Sequence, residues 1–215
     1  RLVDVGTGVR VTEGLTDLRT MTIPLNRVQA LEVIQPVWWR PLGWWRVRVN
    51  VAGVGSSGSG DGEGERETTL LPVGTLDDAL RVLTLLAPRV PASRWNDAVL
   101  GEGPQRGWQT SSARAKLFDP LSWRRNGWSD TDGAVLLRSG RLTRRAIAVP
   151  HARIQSLTLQ QGWLQASRRV ATLHVIPAPG PISPVIDHLD TEAAHDAFDR
   201  LNERGDVVFA VVHRE

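Results

Sequence analysis

The chain has 215 residues, with 26 Lys+Arg against 23 Asp+Glu, 41% hydrophobic residues and no Cys. This composition is globular and leaves room for one large domain or two small ones; it excludes a disulfide framework or thiolate zinc site, and no apolar run reaches the ~18–20 residues that span a bilayer. The pI near 10.7 reflects 25 Arg beside one Lys (Lys116) and no Tyr, so little titrates below Arg and the pI is not the footprint of nucleic-acid binding.

The chain opens at Arg1, its single Met is Met21, and Arg1–Gly14 lacks the apolar core of a signal peptide. It therefore reads as part of a longer chain. Val9 and Val11 alternate with Arg10 and Thr12, the period of a half-buried strand. Thr20–Pro24 and Arg27–Gln35 are predicted strands separated by turn residues. Arg46–Val51 is the clearest strand, with Val47, Val49 and Val51 on one face and Arg46, Arg48 and Asn50 on the other. The Gly- and acid-rich Val54–Glu65 reads as a hairpin loop before a strand at Glu67–Val73. A helix is predicted from Thr75, with Asp78 completing a capping box and Leu76, Ala79, Leu80 and Leu83 forming an apolar face.

Pro88–Lys116 shows turn residues without sustained periodicity, so it reads as a linker or long loop that Trp95 and Trp108 pin onto a domain surface. Strands follow at Ala134–Arg138, Ala146–Pro150, Arg153–Gln160, Ala171–Ile176 and Pro184–Asp187, then a helix from about Thr191. Val207–Val212 reads as a last strand whose pairing partner the sequence does not disclose.

The chain repeats itself. At an offset of 126, Gly14/Gly140, Arg19/Arg145, Pro24/Pro150, Arg27/Arg153, Gln29/Gln155, Leu31/Leu157 and Gln35/Gln161 are identical. The helix faces repeat at an offset of 118, which leaves eight extra residues of copy 1 in the Val54–Glu65 loop. The predicted layout is copy 1 over residues 1–90, a linker over 91–116 and copy 2 over 117–215.

The twice-used Pro-x-x-Arg-[Val/Ile]-Gln, as Pro24…Arg27-Val28-Gln29 and Pro150…Arg153-Ile154-Gln155 with matching flanks, resembles the bacterial pleckstrin-homology-like (PH-like) domain of YdbS/YdbT-type membrane proteins. The resemblance implies a mainly β fold with α: two tandem PH-like small antiparallel barrels or curled sheets, each capped by a C-terminal helix. It also implies transmembrane helices upstream, a place on the cytoplasmic face of the bacterial membrane, and no catalytic residues. The family motif residues Pro24, Arg27, Gln29, Pro150, Arg153 and Gln155 then read as structural. Copy 2 departs at the turn, where Arg169 stands for Gly43 and Val170 for Trp44.

Two segments are candidate membrane or partner contacts. Trp38, Trp39, Trp44 and Trp45 lie within eight residues, with Arg40 among them; indoles favour membrane–water interfaces, although some of these rings could equally pack under the sheet. Arg138, Arg141, Arg144 and Arg145 fall across one predicted hairpin. Residues 116–186 hold ten basic and three acidic side chains, and residues 187–215 hold three and eight, so a basic sheet segment adjoins an acidic tail. Gly53–Gly58 spells G-x-G-x-x-G, but an acidic Gly-rich stretch follows it and not a helix. Asp61, Glu63 and Glu65 lack the spacing of a calcium loop. The five His form no metal motif, and there is no G-x-S-x-G elbow. No cofactor, metal or nucleic acid is expected. The expectation is a non-enzymatic module for membrane-proximal assembly or anionic-lipid contact, its partner a membrane surface or a membrane protein such as its own upstream region. A protein-binding scaffold without lipid contact is the alternative, and a homo-oligomer is left open.

Overall fold

The computed structural model describes residues 2–4, 8–13, 19–52, 68–105, 107–178, 180–204 and 208–213. The Val54–Glu65 loop, the G-x-G-x-x-G match and its carboxylates lie outside them.

In copy 1, strands β1 (Leu2–Asp4), β2 (Gly8–Glu13) and β3 (Arg19–Pro24) form an antiparallel sheet. Pro24 ends β3, a single 3-10 turn covers Leu25–Arg27, and β4 (Val28–Pro36), β5 (Trp45–Val51) and β6 (Thr68–Gly74) make a second antiparallel set. Helix α1 (Leu76–Leu86) packs over it through Ala79, Val82, Leu83 and Leu86. The expected capping box is present: Thr75 Oγ accepts from the Asp78 N–H at 3.2 Å, and the Asp78 carboxylate accepts from the Thr75 N–H at 3.0 Å.

Copy 2 repeats the plan, after α2 (Ala92–Leu100) and the short β7 (Gln109–Thr110). Its strands are β8 (Gly127–Asp130), β9 (Ala134–Ser139), β10 (Thr143–Pro150), β11 (Ile154–Gln161), β12 (Val170–Pro177) and β13 (Val185–Asp190). A five-residue helix α3 (Trp163–Ser167) fills the β11–β12 turn, and α4 (Thr191–Arg204) closes the copy against β11, β12 and β13. The Pro-x-x-Arg motif again forms one 3-10 turn, His151–Arg153.

The copies are not separate beads. β10 of copy 2 lies antiparallel beside β4 of copy 1, from Thr143↔Pro36 to Ala148↔Leu31. The result is one seven-stranded sheet in the order β6-β5-β4-β10-β9-β8-β7. At its centre both faces are covered. Ala134, Leu136, Ala146 and Ala148 join the core of copy 1, and their alternating neighbours Val135, Leu137, Ile147 and Val149 join that of copy 2. Strands buried on both faces read as continuous apolar runs, and Ala134–Leu137 and Ala146–Val149 do.

Glu32, 2% exposed on β4, spans the junction. Its carboxylate lies 3.5 Å from Arg48 Nε on β5 and 2.9 Å from Arg145 Nε on β10. Asn50 bonds both to the Ile182 carbonyl (3.3 Å) and from the Ile182 N–H (3.2 Å). The Arg153 guanidinium donates to the Asn26 carbonyl.

The loop-like reading of Pro88–Lys116 is corrected: it holds α2, whose Trp95, Ala98 and Val99 are buried in the core of copy 1. Trp108 is buried beside them, so the two indoles go beyond surface pinning. Val208–His213 forms β14, and its partner is β11, in a parallel ladder from Ser156↔Val208 to Gln161↔His213.

Candidate membrane and partner contact surface

The β4–β5 turn carries the Trp cluster. Val37–Trp39 forms a 3-10 turn, and Gly43 sits at φ 65°, a left-handed conformation that glycine adopts without penalty. Gln35 Nε2 ties the turn shut by donating to the Trp44 carbonyl at 3.3 Å. In copy 2, Gln161 Nε2 donates to the Val170 carbonyl at 2.9 Å, so this identical pair performs one task twice. The departure at Arg169 keeps the left-handed position, since Arg169 also takes a positive φ, 54°, although the turn before it is the helix α3 and not a 3-10 turn.

The four indoles divide. Trp45 points into the core of copy 1, which removes it from the contact set, because alternation along β5 turns it opposite to Arg46. Trp39 is half-buried, edge-on to Trp44 at 6.2 Å and covered by the Arg46 guanidinium at 5.1 Å. Trp38 is 70% exposed, and Leu42 and Trp44 are exposed beside it.

The arginines divide as well. Arg138 is only 2% exposed and is corrected to a structural role. It bonds to the carbonyls of Asp97 (3.1 Å), Arg125 (3.1 Å) and Gly103, and lies over the Trp108 ring at 4.3 Å. Burial pushes it down to about 10. Arg145 is occupied by Glu32. Arg141 is exposed, and the half-buried Arg144 donates to Gln35 Oε1 at 3.3 Å.

The junction brings the two candidate segments together. Because β10 starts against the end of β4, the β9–β10 hairpin of copy 2 sits beside the β4–β5 turn of copy 1. The Arg40 guanidinium latches them by donating to the carbonyls of Arg141 and, at 3.4 Å, Leu142. One surface thus carries Trp38, Leu42, Trp44 and Leu142 among Arg40, Arg141 and Arg144. Desolvation first, then repulsion from Arg144 and Arg141, holds Arg40 below the usual guanidinium range.

A third exposed Trp lies outside the two candidate segments. Trp163, on α3 in the equivalent turn, is 76% exposed, with Leu164, Arg168 and Arg169 exposed nearby. The repeat offset was the available signal, since it sets Leu164 at the position of Trp38. The motif residues have structural surroundings: Pro24 and Pro150 end strands, Arg27 and Arg153 lie in the 3-10 turns, Gln29 is buried, and Gln155 is exposed.

An open groove of about 560 Å³ is lined by Arg114, Gln161, Arg169, Asp190 and Thr191, among others. Arg114 and Asp190 neutralise each other there at 3.2 Å. No cluster of His, Asp and Glu suited to a metal ion occurs among the described residues, and no helix among them is long and apolar enough to cross a membrane.

Two repeats of paired antiparallel sheets, each closed by a helix after its last antiparallel strand, define a tandem PH-like module. The sequence profile of the family described as bacterial PH domain matches residues 5–90 and again residues 112–205, and the chain belongs to that family. A search of curated proteins finds no match.

Proposed function

We propose that the chain is a non-enzymatic module that rests on the anionic surface of a bacterial membrane through the composite patch at the copy junction. The observation that carries this reading is the juxtaposition of exposed Trp38, Leu42 and Trp44 from copy 1 with Arg141 and Arg144 from copy 2, latched by Arg40. Amphipathic indoles sit at headgroup depth, and each basic residue near an anionic surface contributes about 1 kcal/mol within a Debye length. The two contributions reinforce each other only because they occupy one face.

Co-sedimentation with vesicles containing anionic phospholipid tests this. Binding should fall with rising salt, and drop about tenfold or more in Trp38→Ala/Trp44→Ala or in Arg141→Glu/Arg144→Glu. Absence of binding at low salt, or binding indifferent to both variants, would contradict the reading.

A further inference from the structure

The junction between the copies is a head-to-tail contact. The second sheet of one unit, through β4, pairs with the first sheet of the next, through β10. Such heterologous contacts leave a complementary surface at each end of the array. The two ends here differ. At the C-terminal end, β11 is the equivalent of β4, and β14 covers its edge. At the N-terminal end, β3 is the equivalent of β10, and among the described residues it pairs with β2 alone.

The charges follow the same asymmetry. Arg145 on β10 reaches across the junction to Glu32. Its counterpart on β3 is Arg19, one of the identical pairs of the repeat. Glu32 has no such counterpart: position 158, on the covered β11, is Thr, and the position of Arg48 is His174. The carboxylate is thus present on the edge that a following unit uses and absent from the edge that β14 closes. The arginine is present on both β10 and β3.

We propose that the β3 edge receives the β4-type strand of a preceding bacterial PH unit, one that carries a carboxylate at the position of Glu32. The pairing extends the β4–β10 register: Arg19 opposite the Ile34 position, Thr20 opposite Val33, Met21 opposite Glu32 and Thr22 opposite Leu31. Strand addition supplies affinity through the backbone, and the diagonal Arg–Glu pair fixes partner and register. A second copy of this chain cannot offer its own β11 edge while β14 is paired there.

The probe is a synthetic peptide with the sequence of residues 27–37, offered to the intact chain. The protein has no Cys, so disulfide trapping has no background. The Thr22→Cys chain should crosslink to the peptide with Leu31→Cys, and the Thr20→Cys chain should not. Arg19→Glu should weaken peptide binding about tenfold, and reversing Glu32→Arg in the peptide should restore it. Crosslinking that ignores register, or binding unchanged by Arg19→Glu, would overturn the proposal. Crosslinking of the Thr22→Cys chain to itself in place of the peptide would assign the edge to a second copy and overturn it equally.

Discussion

At the scale of single residues, the informative positions are those where chemistry and backbone disagree. Arg169 holds the left-handed conformation that Gly43 holds in copy 1, at a cost of about 1 kcal/mol for a residue with a Cβ. Arg169→Gly should therefore raise the urea midpoint by an equivalent of about 0.5–1 kcal/mol without changing the m-value, the gain being reduced by the freedom glycine adds to the unfolded chain. Arg125 is the reverse case, a charge accepted inside the protein. It is 1% exposed and donates to the carbonyls of Ala98, Val99 and Gly101, where α2 ends, and of Ser139. Burial, reinforced by Arg144 and Arg138, pushes it down to about 9. Arg125→Met leaves those carbonyls unpaired and should cost about 3 kcal/mol in chemical unfolding. With a folded value below the unfolded one, the unfolded state binds more protons above pH 9, so stability should rise as pH climbs from about 9 toward 11. No Tyr or Cys and only one Lys are present to mask this slope. Urea midpoints across that range check it, and a flat or falling profile would contradict it.

At the scale of elements, most strands of both repeats, the α1 capping box, the start of α4 and the existence of β14 were legible in the sequence; β1, β7 and β8, only two to four residues long, show too little alternation to be read. Alternation along Arg46–Val51 and the paired Thr75 and Asp78 are local signals, and local signals survive into the fold. α2 was not read because its apolar face, Trp95, Ala98 and Val99, covers little more than one turn between Pro91 and Gly101. Those two residues punctuate loops and helix ends alike. The helix is held by the burial of Trp95, which is fully covered. Trp95→Ala should cost about 3–5 kcal/mol in equilibrium unfolding; a change under 1 kcal/mol would show that α2 is a passive cover. The candidate site was legible as two segments but not as one surface. Nothing along the chain says that the turn after β4 meets the hairpin before β10, because that contact depends on strand pairing between copies. Arg138 leaves the contact set because α2 and Trp108 enclose it, whereas Arg145 stays exposed and is held by Glu32 across that pairing.

At the scale of the whole molecule, the repeat has become one structure. Copy 2 lends one face of β9 and β10 to the core of copy 1, Ala30 of copy 1 joins the core of copy 2, Glu32 and Asn50 bond across the junction, and Arg40 closes the patch. Small domains bury too little surface to be robust alone, and the shared sheet offsets that by adding the faces of β9 and β10 to both cores. The central claim is that the copies fold as a unit, and the contact patch with them. Urea unfolding of the intact chain, followed at once by Trp fluorescence and far-UV circular dichroism, tests it most directly. Trp45 and Trp95 report on the core of copy 1 and Trp128 on that of copy 2. The account predicts a single transition with superimposable curves. Two separated transitions, one per copy, would contradict it.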